Sequence, residues 1–433
     1  MSKQITEKSI EQLAIRKMTY RLIPILLVAY VVSYIDRSNI AYAALQMNSD
    51  LGLSQAAFAF GAGIFFLGYC VFEIPSNLLL HRFGARRWIA RIMVTWGIFA
   101  AAMAFVWDEQ SFYVLRFLFG MAEAGFFPGV VYYLSCWFPA SHRGRVMGVF
   151  LAALPVSGII SGPMSGALLL MDGIWGLAGW QWLFIVQAAP AIFLAPLILF
   201  WLPDTPNEAE WLSLEEKEWV AAQFAEEEVQ KSTEGNHLIS LKSLMHPMVI
   251  GLGLIYFAIV ACLNSINFFL PQILKQSGLS NLETGFAASI SNLIALGVVL
   301  FWSRHSDRAQ ERKWHTAIAL IVGATALIVA ASSDNLIIQI AAFAIALGGA
   351  LSSSPCFWAM PPMFLSGIAK AGGIGAISTI GVLGGFVAPV LIGYLTDRSG
   401  NFALGQTVIA VFVIAAAIFL ILLGGQRFSK KAT

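Results

Sequence analysis

The sequence predicts an all-α membrane protein with twelve transmembrane helices in two six-helix halves related by pseudo-symmetry. Three observations predict this fold class: the composition, the number of long apolar stretches and an internal repeat. Hydrophobic residues make up 58% of the 433 residues, charged residues only 12%, and the mean hydropathy is +0.76. A soluble protein carries about 25% charged residues, so this chain has too few to cover a water-exposed surface. The same composition excludes an intrinsically disordered chain, a nucleic-acid binder and a disulfide-stapled secreted module.

Twelve apolar stretches are long enough to cross a hydrocarbon core of about 30 Å. Their apolar period is helical rather than alternating, which favours helices over an outer-membrane barrel. The first stretch follows a charged leader and lacks a small-residue cleavage site, so we interpret it as a retained helix and not as a signal peptide. The predicted spans are 21–41, 55–79, 87–107, 112–137, 146–170, 180–202, 248–272, 284–303, 314–332, 336–360, 372–395 and 403–424.

One long polar interruption divides these spans six and six. It opens with Leu-Pro-Asp-Thr-Pro, is rich in glutamate, and is expected to contain an amphipathic helix around Trp211–Phe224. We therefore expect five parts: a cytoplasmic leader 1–20, an N-terminal half 21–202, a cytoplasmic connector 203–247, a C-terminal half 248–424 and a cytoplasmic tail 425–433.

The two halves repeat each other at one fixed offset in the numbering. The offset that aligns the loop 81–88 with the loop 307–314 also aligns Gly158 with Gly384 and Pro163 with Pro389, without a gap. This agreement indicates a duplicated six-helix unit. Parallel repeats of this kind place a substrate site between the halves, near the bilayer midplane, that is reached by alternating access.

The basic residues orient the chain. If both termini are cytoplasmic, nearly all of the 26 Lys and Arg residues fall in or beside inward segments, and only Lys275 and Arg398 fall in outward ones. The opposite topology would invert the positive-inside rule. We therefore predict a multi-pass protein with both termini in the cytoplasm.

Apart from arginines in the first two turns at the cytoplasmic end of a span, five formal charges lie within the predicted spans, and all are in the first half: Asp36, Arg37, Glu73, Arg116 and Glu123. An ionised side chain at mid-bilayer costs a few kcal/mol, so each needs a partner or a cavity. Asp36 and Arg37 are neighbours and therefore point about 100° apart on a helix. An alternative is that these charges only fix helix packing through salt bridges, which suits Glu73 best.

Arg116 and Glu123 are two helical turns apart and are expected to share a face with Gly120 and Phe127. An anionic ligand needs a fixed positive charge, and a guanidinium group binds a carboxylate bidentately while staying protonated. Arg37 and Arg116 are the basic candidates within the spans.

Proton coupling requires a group that changes its protonation state. Histidine is the usual candidate near neutral pH, but all six histidines fall in or beside predicted cytoplasmic segments. A carboxyl group is therefore expected to carry the proton, because burial disfavours its charge and a nearby Arg favours it. Asp36 and Glu123 fit this description.

Four stretches resemble the major facilitator superfamily and, within it, the anion:cation symporter family of tartrate, hydroxyphenylacetate, sugar-acid and phthalate permeases: 34–43 (YIDRSNIAYA), 116–139 (RFLFGMAEAGFFPGVVYYLSCWFP), 304–312 (RHSDRAQER) and 393–400 (GYLTDRSG). The resemblance implies the major facilitator fold and proton-coupled uptake of a small organic anion across a bacterial inner membrane. It leaves tartrate-like dicarboxylates, sugar acids and aromatic acids such as 4-hydroxyphenylacetate open as substrates.

The resemblance also implies residue roles. The arginine of the family's first-span Asp-Arg pair contacts the substrate carboxylate, and this role maps onto Arg37. Arg116 matches the fourth-span arginine, which tunes the nearby acid and helps with substrate. The residues that match Asp36 and Glu123 in sugar-acid permeases carry protons.

Polar and aromatic side chains at a comparable depth are candidates for reading the rest of the substrate, although Ser and Asn in membrane helices often only join neighbouring helices. The candidates are Tyr69, Tyr256, Asn264, Asn267, Trp358 and Ser378. Many family members carry Asn in the eleventh span where this chain has Ser378 and Val382, which weakens the case for a highly polar sugar acid.

Two loops and one small-residue stripe are candidates for gating. The loops are expected to latch the cytoplasmic side through charge pairs of Arg82, Arg86, Asp307, Arg308 and Arg312. In the first loop His81 stands where the superfamily usually has an acid. The stripe of Gly158, Gly162, Pro163 and Gly166 permits close helix packing. The four cysteines lack metal spacing and are interpreted as packing residues.

Other function classes are less well supported. No nucleophile motif, metal cluster or phosphate loop is present in the sequence, which argues against an enzyme or an ATP-driven pump. We expect a monomer in the lipid bilayer with a small organic anion and protons as partners, and no cofactor or nucleic acid. The open alternative is a superfamily exporter or exchanger of drugs or metabolites.

Overall fold

The computed structural model describes residues 2–233, 247–309, 311–361 and 368–423, and this part of the chain folds into α-helices joined by short turns. Twelve helical segments are long and apolar enough to cross a membrane, which confirms the predicted fold class. They are Ser9–Asp50, Gln55–Phe83, Ala85–Phe105, Glu109–Trp137, Ala140–Met171, Gly179–Trp201, Pro247–Gln276, Asn281–Ala309, Lys313–Ser332, Leu336–Trp358, Gly373–Ser399 and Ala403–Leu422.

Four of the twelve spans are built from two consecutive helices. In chain order the helices are α1 Ser2–Ser38, α2 Ile40–Asp50, α3 Gln55–Phe83, α4 Ala85–Ala102, α5 Glu109–Glu123, α6 Phe126–Trp137, α7 Ala140–Leu151, α8 Ala153–Leu168, α9 Gly179–Trp201, α10 Leu214–Thr233, α11 Pro247–Gln276, α12 Asn281–Ala309, α13 Lys313–Ser332, α14 Leu336–Trp358, α15 Ile368–Val382, α16 Gly384–Ser399 and α17 Ala403–Leu422. Residues 2–20, predicted as a leader, continue the helix of the first span.

The fourth span breaks between α5 and α6. Gly125 adopts a left-handed conformation with φ +89°, and a Cβ there would collide with Oγ of Ser76. Both the backbone conformation and the lack of space therefore require glycine. The break corrects one expectation: Phe127 lies beyond it, in α6, so the face shared by Arg116 and Glu123 does not continue to Phe127. As a result, Glu123 is the last residue of α5.

Glycines permit close helix approach inside the N-terminal half. A Cβ on Gly120 would overlap the carbonyl oxygen of Phe65, and one on Gly68 would overlap that of Phe117. The backbones of α3 and α5 are therefore almost in contact. This packing brings Phe65 and Tyr69 of α3 to the level of Glu123, where the candidate site lies.

The two halves meet along α8 with α12 and α3 with α16. The small-residue stripe predicted in the fifth span lies at the first of these contacts, where Gly162 and Gly285 each leave room only for the carbonyl oxygen of the other. We call the end of the bundle where α2 ends at Asp50 the distal end, and the end next to α10 the connector end.

The connector packs on the N-terminal half. Lys17 of α1 forms a 2.8 Å ion pair with Glu216 of α10, and the rings of Trp137 and Trp211 stack with centroids 5.6 Å apart. Glu227 accepts a hydrogen bond from the backbone N–H of Ala140 and so caps α7. The predicted connector helix is thus present, beginning at Leu214, and residues 234–246 lie outside the described part.

Glu216 predicts a pH dependence of stability. Burial opposes ionisation of Glu216, but hydrogen bonds from Lys17 and from the backbone and hydroxyl of Ser213 outweigh burial and lower its pKa. A depressed pKa stabilises the fold above the unfolded-state value, and this contribution is lost as the pH falls through the folded value. We expect Glu216→Gln to lower the thermal unfolding temperature at about pH 7 and to match the unmodified protein only once the pH falls below the folded-state pKa, which lies under the ordinary value of about 4.3. An equal difference at both pH values would contradict this.

Candidate functional site

A buried ion pair joins α1 to α5. Nη2 of Arg37 lies 2.7 Å from Oε1 of Glu123, and the hydroxyl of Ser33, one turn earlier on α1, donates to the same oxygen over 2.6 Å. The Glu123 side chain is 1% exposed, and its other oxygen, Oε2, is buried with no hydrogen-bond partner in the described part of the chain. One oxygen of the carboxylate therefore accepts two hydrogen bonds, and the other accepts none from the described residues.

Aromatic rings surround the Arg37 guanidinium. The ring centroids of Tyr34, Phe65 and Tyr69 lie 5.1, 5.1 and 5.3 Å from its Cζ, within the range of cation–π attraction. The Arg37 side chain keeps 18% exposure, and its buried Nε has no hydrogen-bond partner among the described residues. The geometry thus brings two predicted binding residues, Arg37 and Tyr69, together and leaves the Arg37 side chain partly exposed.

Arg116 lies in a different environment. Its Nε and Nη2 donate to the backbone carbonyls of Gly61 and Ala62 over 3.3 and 3.1 Å, and its buried Nη1 has no partner among the described residues. Its Cζ is 5.0 Å from the centroid of Phe65, so both arginines contact the same ring. Arg116 is fully buried, whereas the Arg37 side chain is partly exposed.

Asp36 points away from Arg37. Its Oδ2 accepts a 3.0 Å hydrogen bond from the indole N–H of Trp96 on α4, whereas Oδ1 is buried and no described residue hydrogen-bonds to it. Asp36 is fully buried, and its one hydrogen bond comes from a neutral group. The two acids therefore differ: Glu123 is paired with a guanidinium group, and a charged Asp36 would have little to offset its desolvation.

The C-terminal half contributes an aromatic cluster. The ring of Tyr256 stacks on Phe357 at 5.4 Å and meets Trp358 edge-on at 4.7 Å. A Cβ on Gly381 would overlap the Tyr256 ring, so α11, α14 and α15 converge at this point. Ser378 lies one turn before Gly381 on α15 and is partly buried. Two of the predicted residues, Tyr256 and Trp358, are thus in direct contact.

A cavity of about 60 Å³ lies between the halves and begins next to the aromatic cage of Arg37. Asn267, a predicted binding residue, lines it, whereas Asn264 donates its amide to Val260 of its own helix. The cavity is lined by several hydroxyl and amide groups that sequence reasoning missed: Ser38, Tyr42, Ser157, Ser161 and Asn292. The i, i+4 spacing of Tyr34, Ser38 and Tyr42 along the first span was the available signal.

The described residues contain no group of three or more His, Cys, Asp and Glu side chains placed to hold a metal ion. Across residues 26–389 the sequence matches the family model of the Major Facilitator Superfamily. The chain belongs to the major facilitator superfamily. The resemblance found in the sequence is therefore confirmed.

Known relatives of this major facilitator protein are membrane transporters and not enzymes. It is 45% identical to a protein of Agrobacterium vitis named "Putative tartrate transporter", over 99% of this chain and 94% of the relative. It is 41% identical to a quinolone resistance transporter of Acinetobacter baumannii, over 94% of both chains. The xylose transporter XylE from E. coli, in a partially occluded inward open conformation, has the same fold, with a TM-score of 0.74 at 16% identity over 94% of this chain and 98% of that one.

The two candidate gating loops of this major facilitator protein form charge pairs within their own halves. In the second loop, Nη1 of Arg312 lies 2.7 Å from Oδ1 of Asp307. In the first loop Asp204, from the start of the connector, pairs with Nε of Arg86 at 3.4 Å and accepts the Arg86 backbone N–H. Asp204 thus supplies an acid next to the loop whose usual acid position holds His81. Arg82 and Arg308 are exposed.

At the distal end, one carboxylate joins the halves. The two oxygens of Asp397 on α16 accept hydrogen bonds of 2.9 Å each from the backbone N–H groups of Gln55 and Ala56, at the start of α3. These donors are otherwise unsatisfied at a helix N-terminus, and the helix dipole favours a negative charge there. Asp397 lies in the stretch 393–400 that carried the family resemblance, but no role was predicted for it.

We expect Asp397→Ala to weaken the distal closure. Removing a helix cap destabilises the capped state, here the closed distal end, by about 1 kcal/mol, so the population open at this end should rise about five-fold. The measurement is the rate at which a membrane-impermeant maleimide labels a Tyr42→Cys reporter, in a chain whose native cysteines are replaced by serine. Asp172→Ala is the matched control, because Asp172 accepts the Gly179 N–H within one half. Equal labelling rates in the two variants would rule out an inter-half role for Asp397.

Proposed function

We propose that this protein takes up a small hydroxycarboxylate of the tartrate type together with protons. The observation that carries the proposal is the buried pair of Arg37 and Glu123, in which a substrate-competent guanidinium is held by a protonatable group. A substrate carboxylate and the Glu123 carboxylate compete for the same donors. Protonation of Glu123 removes its charge and frees Arg37, so a proton and an anion are taken up together.

The surroundings of Arg37 favour a small, hydroxylated anion. The cavity that begins at Tyr34 has about the volume of two water molecules, and hydroxyl and amide groups line it together with aliphatic side chains. Arg116 adds positive charge to the same region and is assigned a supporting role. The relative named as a tartrate transporter supports a dicarboxylate over an aromatic acid.

Asp36 is proposed as a second proton site. Moving an anion into a negative interior costs about 2.3 kcal/mol per charge per 100 mV. One proton per monoanion cancels this work and leaves the pH gradient as the driving force, whereas two protons also use the potential. For a dianion such as tartrate, a third proton would be needed to use the potential in the same way.

The proposed arrangement in the cell follows from the charges. We place both termini and the connector 203–247 in the cytoplasm of a bacterium, with the protein in the inner membrane as a monomer. The halves 21–202 and 248–424 then rock around the site, and the distal end faces outward. The pairs Arg86–Asp204 and Arg312–Asp307 are proposed to shape the inward gate.

The experiment is counterflow in proteoliposomes. Vesicles loaded with unlabelled tartrate should accumulate external labelled tartrate, and an acidic exterior should drive net uptake into empty vesicles. A parallel thermal-shift screen of other hydroxycarboxylates, sugar acids and 4-hydroxyphenylacetate would rank the substrates. Absence of counterflow and of thermal stabilisation for every organic anion would contradict the proposal.

Export is the second candidate function, favoured by the 41% identity to a quinolone resistance transporter. The aromatic rings of Tyr34, Phe65 and Tyr69 around Arg37 are also compatible with a flat aromatic carboxylate. Inverted vesicles distinguish the two functions. A quinolone that is accumulated against its gradient, with no tartrate counterflow, would establish export instead of uptake.

A further inference from the structure

A second cavity lies on the surface of the N-terminal half, at the connector end. It has a volume of about 380 Å³ and is formed by one face of α1 together with one tryptophan that precedes α10. We call it the interfacial pocket, and its lining residues are Leu13, Arg16, Lys17, Tyr20, Arg21 and Trp211. Arg21 and Arg37 lie on the same helix, about 24 Å apart along its axis.

The pocket carries excess positive charge on aromatic surfaces. Cζ of Arg16 lies 5.7 Å from the centroid of Tyr20, and Cζ of Arg21 lies 5.8 Å from Trp211. Lys17 is neutralised by Glu216, but neither arginine pairs with a carboxylate in the described part of the chain. Two exposed guanidinium groups are therefore held in place by aromatic rings with their donors free.

The pocket also lies where the chain enters the apolar zone. Arg21 is followed by the apolar run that begins at Leu22 and continues into the first span. Arg21 also contacts Trp201 at the end of α9, and the outward side chains there are strongly exposed: 83% for Phe200 and 54% for Trp201. A belt of Trp and Tyr beside basic residues is typical of the membrane–water interface.

We propose that the interfacial pocket binds the phosphate of an anionic phospholipid, such as phosphatidylglycerol or cardiolipin. Arg16 and Arg21 hold the phosphate oxygens, for which the planar guanidinium group is well suited. The acyl chains lie over the exposed aromatic surface of α9, a wall that a free phosphate ion would not use. Because α1 and Trp211 both line the pocket, the bound lipid also fastens the connector to the N-terminal half.

The test uses the full-length protein in nanodiscs and in detergent. Native mass spectrometry and thermal shift would compare phosphatidylglycerol, cardiolipin and phosphatidylcholine on the unmodified protein and on Arg16→Gln/Arg21→Gln. We expect selective retention of the anionic lipids, weakened about ten- to thirty-fold in the double variant, since each basic residue near the surface contributes to the attraction. Arg16→Lys/Arg21→Lys should keep most of the selectivity, because the charges remain.

Three results would overturn the proposal. Equal retention of anionic lipid by both proteins would show that the pocket is not the site. Loss of phosphatidylcholine together with phosphatidylglycerol would indicate damage to the general lipid-facing surface. Stabilisation by inorganic phosphate alone, equal to that by lipid, would point to a soluble ligand. Arg398→Gln is the matched control, because Arg398 is a surface arginine over an exposed ring, that of Tyr394, at the distal end.

Discussion

Substitution of Arg37 by glutamine should strongly weaken binding and counterflow of tartrate-like anions. A hydrogen bond to a charged group contributes about 1.5–3 kcal/mol, so the affinity should fall by about 10- to 150-fold. Arg37→Lys should not restore it, because an ammonium group lacks the planar fork that binds a carboxylate through two bonds. Affinity would be measured by thermal shift or calorimetry, and transport by counterflow.

The controls separate loss of the guanidinium from its effect on Glu123. Arg37→Gln alone leaves Glu123 buried without its cation, whereas Arg37→Gln/Glu123→Gln removes both charges. If the double variant still fails to bind, the guanidinium itself is required. Arg91→Gln is the matched control, because Arg91 is also a helix arginine stacked on an aromatic ring, 3.9 Å from the centroid of Trp88. Binding that survives in Arg37→Gln but is lost in Arg116→Gln would transfer the main role to Arg116.

The second large effect is expected from Glu123→Gln. Glutamine keeps the shape and one hydrogen bond to Arg37 but cannot take up a proton. Exchange of labelled for unlabelled substrate should therefore continue, while accumulation driven by protons is lost. Removing one coupled proton lowers the accumulation ratio by about 50-fold per 100 mV of membrane potential. The pH dependence of substrate affinity should also flatten.

Two comparisons make this prediction specific. Glu109→Gln changes a carboxyl group at the other end of α5, where it accepts a hydrogen bond from Tyr113, and should leave transport unchanged. If two protons are carried with tartrate, Asp36→Asn should remove one of them and turn an electroneutral cycle into one that an inside-negative potential opposes. Normal accumulation by Glu123→Gln under a pH gradient would exclude Glu123 as the proton carrier.

The twelve spans were predictable because their length and apolar content are set by the bilayer, independently of what each helix contacts. The break after Glu123 was not, since the left-handed Gly125 reflects the approach of Ser76 from another helix. The intramembrane charges were predictable because each one is rare in a span. Their pairing was not. Spacing along α5 suggested a shared face for Arg116 and Glu123, but Glu123 pairs with Arg37, and this depends on how α1 packs against α5.

The residues lining the cavity show the same limit. Ser157, Ser161 and Asn292 are ordinary membrane-helix residues by type, and only the meeting of the two halves makes them neighbours of Tyr34. Asp204 is a comparable case in the first gating loop. Its position after a proline gave no sign that it would reach Arg86. In both cases the deciding contact joins residues far apart in sequence.

Side-chain mutations can alter the Asp397 contact from only one of the two helices that it joins. Its donors are main-chain amides, which every residue except proline supplies, so side-chain changes at Gln55 or Ala56 leave them in place. The acceptor is a single side chain. Substitutions at position 397 can therefore change how tightly this end closes, whereas side-chain substitutions at the start of α3 leave the hydrogen bonds in place. An engineer who wishes to bias the transport cycle has one residue to adjust, with the opposing helix as a constant.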